Sequence, residues 1–292
     1  MRRSAWFAVL ITALALTGCQ PKAPSVRAPR AKYIQSVVSL SPSTTEIAMV
    51  FVKSFQLRGR TAADDYPVSN VDTVEIVASV KPNYERLAAI KPELVLYDAA
   101  LFSPDELDKV KKTTGAIMFG FKANSIDEFI TELYEFGSLT ASEAGVNEYA
   151  NRIIREAGAA KAEPITPVPK VAVILPGEGG RDYIAGTDSF VASAVKAAGG
   201  EPVGPGGNKF MAVNAESLVS MNPDVIIAAG TKENMKGVVA LLSNPRYKTL
   251  NAIKNQRVHA IDEDVLVRKG ARVDQLIKAL FQSLSNTSGG GS

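Results

Sequence analysis

Along the chain, short β-prone runs bounded by turn signals alternate with stretches whose apolar residues recur at helical spacing. The runs read as strands at 36–40, 56–60, 74–77, 94–97 and 116–119, and again at 170–175, 183–185, 224–229 and 258–261. The segments between them read as helices, with the Ser-x-x-Glu signature of a capping box at Ser43–Glu46, Ser103–Glu106 and Ser125–Glu128. Strands alternating with helices predict open, mostly parallel α/β sheets. From 125 to 163 the strand pattern stops, while Ile126, Phe129, Leu133 and Phe136, then Tyr149 and Ile153, keep helical spacing. This predicts a break near Gly137 or Gly145 and one long helix from about 142 to 162, ended by Pro164.

The body also resembles itself. YERLAAIKPELVL at 84–96 corresponds to AESLVSMNPDVII at 215–227, with Glu85 against Glu216, Leu87 against Leu218, Pro92 against Pro223 and Glu93 against Asp224, all at an offset of 131. VVSLSP at 37–42 pairs with VAVILP at 171–176. A period this long is not a solenoid and implies two similar lobes. Each unit reads as helix, a Lys-Pro or Asn-Pro break, then a buried strand. The fold class is therefore α/β: two similar Rossmann-like lobes with mostly parallel sheets, joined by one long backbone helix, with the ligand cleft between lobes. Loops at the carboxyl ends of parallel strands reach such a cleft.

The ends carry a different pattern. Met1-Arg2-Arg3 precedes an apolar run of 12 residues, Ala5 to Leu16, and then Leu16-Thr17-Gly18-Cys19. The run falls short of the about 20 residues a membrane span needs and reads as an export signal over 1–18. Residues 19–33 read as a Pro-rich, basic tether, and its 14 residues after the cysteine would reach roughly 20 Å. The first lobe then spans 34–138, the linking helix 139–165, the second lobe 166–284, and SNTSGGGS at 285–292 is a flexible tail. With 33 Lys and Arg against 30 Asp and Glu, nothing suggests a nucleic-acid partner, and one Cys with one His excludes a structural zinc site or a disulfide framework.

Several residue groups resemble a known family. VVSLSPSTTEI at 37–47, DDYP at 64–67, PNYERLAAIKPELVL at 82–96, the run from GTDSF to AAGG at 186–200 and NPDVIIAAG at 222–230 look like the ABC-transporter solute-binding proteins of the single-backbone-helix class, which serve cobalamin, ferric siderophores and haem. Leu-Thr-Gly-Cys resembles the bacterial lipobox, which implies cleavage before Cys19 and lipid on its thiol. The competing reading is a plain secretory signal with an incidental buried Cys. The resemblance implies a monomeric, extracytoplasmic, lipid-anchored receptor that delivers a corrinoid, ferric siderophore or haem to an ABC permease dimer. It implies no cofactor and no catalysis. Cobalamin binders tend to carry a Trp before the second helix; here Ala78-Ser79-Val80-Lys81 has no aromatic.

The resemblance places Glu85 and Glu216 against arginines of the permease, one carboxylate per lobe. Helix capping explains the same residues, since Asn83 and Asn214 precede them, and the two roles are compatible. For the ligand, the strand-end loops offer Ser41, Ala63, Asp64, Ser79, Lys81, Tyr97, Asp98, Phe102, Phe121, Glu178, Arg181, Phe210 and Arg268. Aromatic faces suit a large planar or macrocyclic ligand, although each could equally pack in a core. Gly177 to Gly180 leads into a strand and reads as a tight turn, not a phosphate loop, and His259 falls within a strand. Another class of function is an exported two-lobed hydrolase using paired carboxylates such as Asp64 or Asp182; a third is an adhesion or scaffold protein, which would have no need of a cleft-forming repeat.

Overall fold

Residues 34–53, 56–68, 71–79, 81–177, 181–230 and 235–286 are described by a computed structural model. The leader, Cys19, the tether, Glu178 and the tail beyond Asn286 lie outside these residues. In the first lobe β1 (Val37–Ser39), β2 (Leu57–Thr61), β3 (Ile76–Ala78), β4 (Leu94–Asp98) and β5 (Ile117–Phe121) form a sheet in the order β3-β2-β1-β4-β5. Every neighbouring pair is parallel. The central strands are buried on both faces, as expected when α1 (Pro42–Phe51), α2 (Tyr84–Ile90) and α3 (Pro104–Thr114) form the crossovers. The order reverses between β1 and β4, which opens a crevice at their carboxyl ends.

The second sheet keeps a parallel centre and departs at one edge. Its strands are β6 (Lys170–Leu175), β7 (Asp182–Ala185), β8 (Glu201–Pro202), β9 (Phe210–Val213), β10 (Val225–Ala229) and β11 (Val258–Ile261), in the order β11-β10-β6-β7-β9 with β8 also on β6. β10 runs parallel to β6 and β11, while β7 and β9 are antiparallel. β6 and β7 thus pair as a hairpin. Gly177 lies so close to the Arg181 carbonyl that a Cβ would sit 1.9 Å from it. β8 and β9 are absent from the sequence-based strands: β8 has only two residues, and β9 follows the run Gly204-Pro205-Gly206-Gly207, which reads as loop. Phe210, expected in a loop, opens β9.

The repeat is visible atom by atom. α2 and its counterpart α7 (Ala215–Met221) each have seven residues, an asparagine N-cap accepting from the third backbone N–H, and a left-handed C-cap. Asn83 Oδ1 accepts from Arg86 N at 3.1 Å, and Asn214 Oδ1 from Ser217 N at 2.8 Å. The matched acids after the prolines also agree: Glu93 accepts from Gln35 N at 2.6 Å and Asp224 from Lys170 N at 3.0 Å, each at the entry of its central strand.

Two helices connect the lobes, and the break between them lies elsewhere than at the glycines. α4 (Ile126–Thr140) ends at Ala141 in the left-handed region, and α5 (Glu143–Ala162) follows. Gly137 remains helical because the two helices cross there; a Cβ on it would sit 3.2 Å from Val146. One buried cluster is shared by the lobes, reaching from Leu96, Phe129 and Tyr149 to Val173, Phe190 and Leu276, while each lobe keeps a second cluster on the other face of its sheet.

One capping box is overturned. The N-cap of α1 is Ser41, with Pro42 in the first turn, and Glu46 does not cap at all. Instead Glu46 is 1% exposed and receives Arg272, Arg268 and the Ala271 N–H from the segment between α10 (Glu263–Val267) and α11 (Val273–Ser285). A carboxylate this deep is drawn inward because the guanidinium of Arg272, 2.5 Å away, offsets its desolvation. The box at Ser103 forms in full; at Ser125 only half forms, since Glu128 accepts from Asn124 N instead. Gly270 has no room for a side chain, as its Cβ would fall on the Glu46 carboxylate. Glu46→Gln, which leaves the buried Arg272 guanidinium without its carboxylate, is expected to lower unfolding free energy by about 3–5 kcal/mol in urea titrations. A loss below about 1 kcal/mol would assign this seam to apolar packing alone.

Candidate functional site

A cleft of about 710 Å³ opens between the lobes. Its first-lobe wall is the β4–α3 loop, Asp98 to Phe102, with the β5–α4 loop, Lys122 to Asn124. Its second-lobe wall is the end of β6, the start of α6 (Phe190–Ala197), residues 208–210 and the end of α10 with Lys269. The walls follow the carboxyl ends of β4, β5 and β6, where an α/β fold gathers its loops. Phe102, Phe190, Phe210 and Leu175 supply apolar surface, and Lys122, Lys209, Asn124 and Asn208 supply polar edges. Asn208 Nδ2 donates to Asn124 Oδ1 at 3.2 Å across the two lobes.

The floor is tied to the seam. Lys269 Nζ pairs with Asp98 Oδ1 at 3.2 Å and donates to the Ala123 carbonyl at 3.4 Å. Next to it Arg268 contacts Asp65 at 2.5 Å, Asp264 at 2.6 Å and Glu46 at 3.4 Å. Tyr149 OH donates to the Gly270 carbonyl and accepts from Val273 N, and burial raises its pKa well above the usual value. Arg272 lies over the ring of Tyr66 at 4.5 Å.

Of the ligand residues expected from sequence, Asp98, Phe102 and Phe210 come together on the cleft walls. Glu178 lies outside the described residues, and the others are placed elsewhere. Ser41 is fully buried, accepting from Asp98 N at 3.1 Å and bonded to Thr44, so it braces the loop without facing the cavity. Asp64 is buried against Thr61, and desolvation raises its pKa despite those hydrogen bonds. Phe121 sits in the shared core among Phe119, Phe129 and Phe136, because β5 alternates its faces and this position points to α4. Tyr97 packs edge-on against Phe102 and covers Gly120, where a Cβ would meet its ring at 2.5 Å. Ala63, Ser79, Lys81 and Arg181 are exposed and do not line the cleft, and Arg268 is occupied by carboxylates. Asp182 is covered by Tyr247, whose hydroxyl donates to it at 2.9 Å and is pushed up to about 12 by burial and by that carboxylate. Asp64 and Asp182 are thus each buried within a separate lobe, so they give a hydrolase no facing pair.

Sequence reasoning missed Asn124 and Asn208, which carry no motif, Phe190, which closes the GTDSF run, and Lys269, for which the RKGAR cluster at 268–272 was the available signal. His259 lies in β11 as expected. Its Nε2 has no hydrogen-bond partner, and burial followed by Arg257 lowers its pKa, which favours the neutral ring. Among the described residues no group of three or more His, Cys, Asp or Glu is arranged to hold a bare metal ion. No helix among them is long and apolar enough to cross a membrane.

Glu85 and Glu216 are both exposed in first turns, one on each lobe. Glu216 borders an open groove of about 660 Å³ with Asn214, Val219 and Arg246, all from the second lobe.

Asp264 is pushed up to about 6 by burial and by Asp65 beside it, against the pull of Arg268. For Asp65, burial is outweighed by the Arg268 contact, and its pKa falls. Because Asp264 sits above its ordinary 3.8, the folded chain keeps a proton that the unfolded chain releases. That stabilisation is complete below 3.8 and disappears as pH rises through about 6. The stability difference between wild type and Asp264→Asn is therefore expected to fall by about 1–2 kcal/mol across this window in denaturant titrations, after allowance for screening. A flat difference would contradict the assignment.

The periplasmic binding protein family matches residues 37–265. The ABC transporter substrate-binding lipoprotein YvrC of Bacillus subtilis is 25% identical over 257 residues, covering 86% of this chain and 80% of that protein. The high-affinity heme uptake system protein IsdE of Staphylococcus aureus is 24% identical over 266 residues, covering 87% and 88%. The periplasmic vitamin B12 binding protein BtuF of Vibrio cholerae has the same fold, with a TM-score of 0.73 at 18% identity over 87% of this chain and 98% of that one.

Proposed function

Because the chain belongs to the periplasmic binding protein family, we propose that it is the extracytoplasmic solute-binding component of an ABC importer, capturing a corrinoid or iron-chelate ligand and delivering it to the permease. The observation that carries this reading is the interlobe cleft, walled by strand-end loops of both lobes and lined by phenylalanines and a few polar groups. The protein acts as a receptor and not as an enzyme. Anchoring through a lipid on Cys19 is supported by the Leu-Thr-Gly-Cys signature and by the naming of YvrC as a lipoprotein. Haem is a second reading of the cargo, favoured by the name of IsdE.

Delivery requires docking. Glu85 and Glu216 occupy equivalent first turns on the two lobes, each beside an asparagine cap and exposed. A symmetric permease dimer that presents one arginine cluster per subunit would meet one carboxylate per lobe. The shared core, the Glu46 seam and the helical connection through α4 and α5 favour a small closure on loading, with docking carboxylates held at nearly constant separation.

Titration of the mature chain with cyanocobalamin, haemin and ferric siderophores, followed by ligand absorbance and thermal shift, is expected to show saturable binding of one class. Absence of binding to all of them would refute the receptor reading. The Glu85→Lys/Glu216→Lys double reversal is expected to abolish uptake by whole cells, since like charges across an interface cost several kcal/mol, while ligand affinity stays within about threefold of wild type. Wild-type uptake by that variant would refute docking.

A further inference from the structure

The cleft also sets a chemical condition on its cargo, one that rests on the receptor reading above. A protein that grips haem through its iron, or completes the coordination of a partly stripped metal, offers a His, Cys, Met or Tyr donor. Among the described residues that line the cleft there is none. The internal stretches outside the described residues contain only Ser, Phe, Asn, Val, Glu, Gly, Thr and Lys, so none of them can supply such a donor.

The described His, Met and Tyr residues all lie outside the cleft lining, and several are held elsewhere. The single imidazole, His259, is within β11 with a lowered pKa from burial. Tyr97 covers Gly120, Tyr66 lies under Arg272, and Met211 on β9 packs toward Gly207, where a Cβ would meet its methyl at 3.5 Å. Tyr149 is locked in the seam and Tyr247 on Asp182. The cleft's nitrogen groups act as charges and not as ligands. Lys269 is paired with Asp98, whereas Lys122 and Lys209 are exposed and have no ion-pair partner among the described residues. They come from opposite lobes and flank the Asn124–Asn208 hydrogen bond. Against them the cleft lining holds one further carboxylate, Glu263, while Glu132 lies beneath the Lys122 loop, accepting from Lys122 N and Ala123 N, and Asp188 accepts from Gly207 N beside the Lys209 loop.

We propose that the cleft takes a metal chelate whose metal is already fully coordinated by its own donors, and that Lys122 and Lys209, one from each lobe, select the anionic members of that class. The phenylalanine wall receives the organic periphery of such a chelate, and the two ammonium groups receive its anionic edge without stripping any bond from the metal.

The test uses the mature chain with a trianionic ferric tricatecholate, a neutral ferric trihydroxamate, cyanocobalamin, haemin and metal-free protoporphyrin. The tricatecholate is expected to bind at least about tenfold more tightly than the trihydroxamate. The Lys122→Ala/Lys209→Ala variant should lose about tenfold or more for the tricatecholate and less than about threefold for the trihydroxamate, with an unchanged circular dichroism spectrum. Haemin and the metal-free ring should behave alike, with no Soret shift from a protein ligand. Haemin binding about tenfold tighter than the free ring, with a shifted Soret band, would overturn the closed coordination sphere. A preference for the neutral probes, or a double variant indifferent to charge, would overturn the role of the lysines. If none of the probes bound, the receptor reading itself would fail, a result distinct from both.

Discussion

The two lobes are held in register by a carboxylate that has no access to water. Glu46 projects from α1, directly after the central strand of the first sheet, and meets two arginines and a backbone N–H from the segment that opens α11. A buried charge tolerates few geometries, because losing either partner leaves the other desolvated at a cost of several kcal/mol. The segment it holds, residues 268–272, also carries Lys269 to the cleft floor and lets Tyr149 of α5 bond to Gly270 and Val273. One constraint therefore places the linking helix, the seam and the floor of the cleft together. Gly270 is required there because the backbone approaches the carboxylate closer than any side chain would permit.

On this frame the duplicated units do different work from the same local chemistry. Asparagine caps, left-handed C-caps and a post-proline acid recur in both lobes, so the two parallel cores form by one set of rules. The lobes diverge where the second adds the β6–β7 hairpin and β9 in place of a crossover. That divergence brings Lys209 and Phe210 to the far wall, opposite Lys122 and Phe102. The shared scaffold thus gives α2 and α7 equivalent exposed first turns, and the departure from symmetry supplies the two unlike walls of the cleft.

Membership of the periplasmic binding protein family fits an architecture in which capture depends on a preformed gap. Its walls are rich in phenylalanine, and its buried charges are paired. Under the proposed reading, apolar area supplies contact and the exposed lysines discriminate among charged cargoes. With its two lobes sharing a core, the chain has little to gain from wide hinge motion, and preorganisation keeps the ordering cost of binding low.

The lobed α/β architecture, the linking helix, the repeat and most strands could be read from the chain because they rest on local pattern: runs, caps and proline breaks act over a few residues. The site was legible only in part. Asp98 and Phe102, at and just beyond the carboxyl end of β4, reached the cleft as expected, and Phe210 reached it from the start of β9; Phe121 is buried because successive strand residues alternate faces, and Ser41 because it begins α1 and is bonded to Thr44 and Asp98 N. Glu46 carried a capping signature and became an ion-pair hub, because its partners lie more than 220 residues away. Sequence alone determined the elements, their order and their duplication, all consequences of short-range propensity. Which charges meet, which loops become walls and which aromatics face the gap were decided only by the tertiary structure, because those depend on contacts between the lobes that no local pattern encodes.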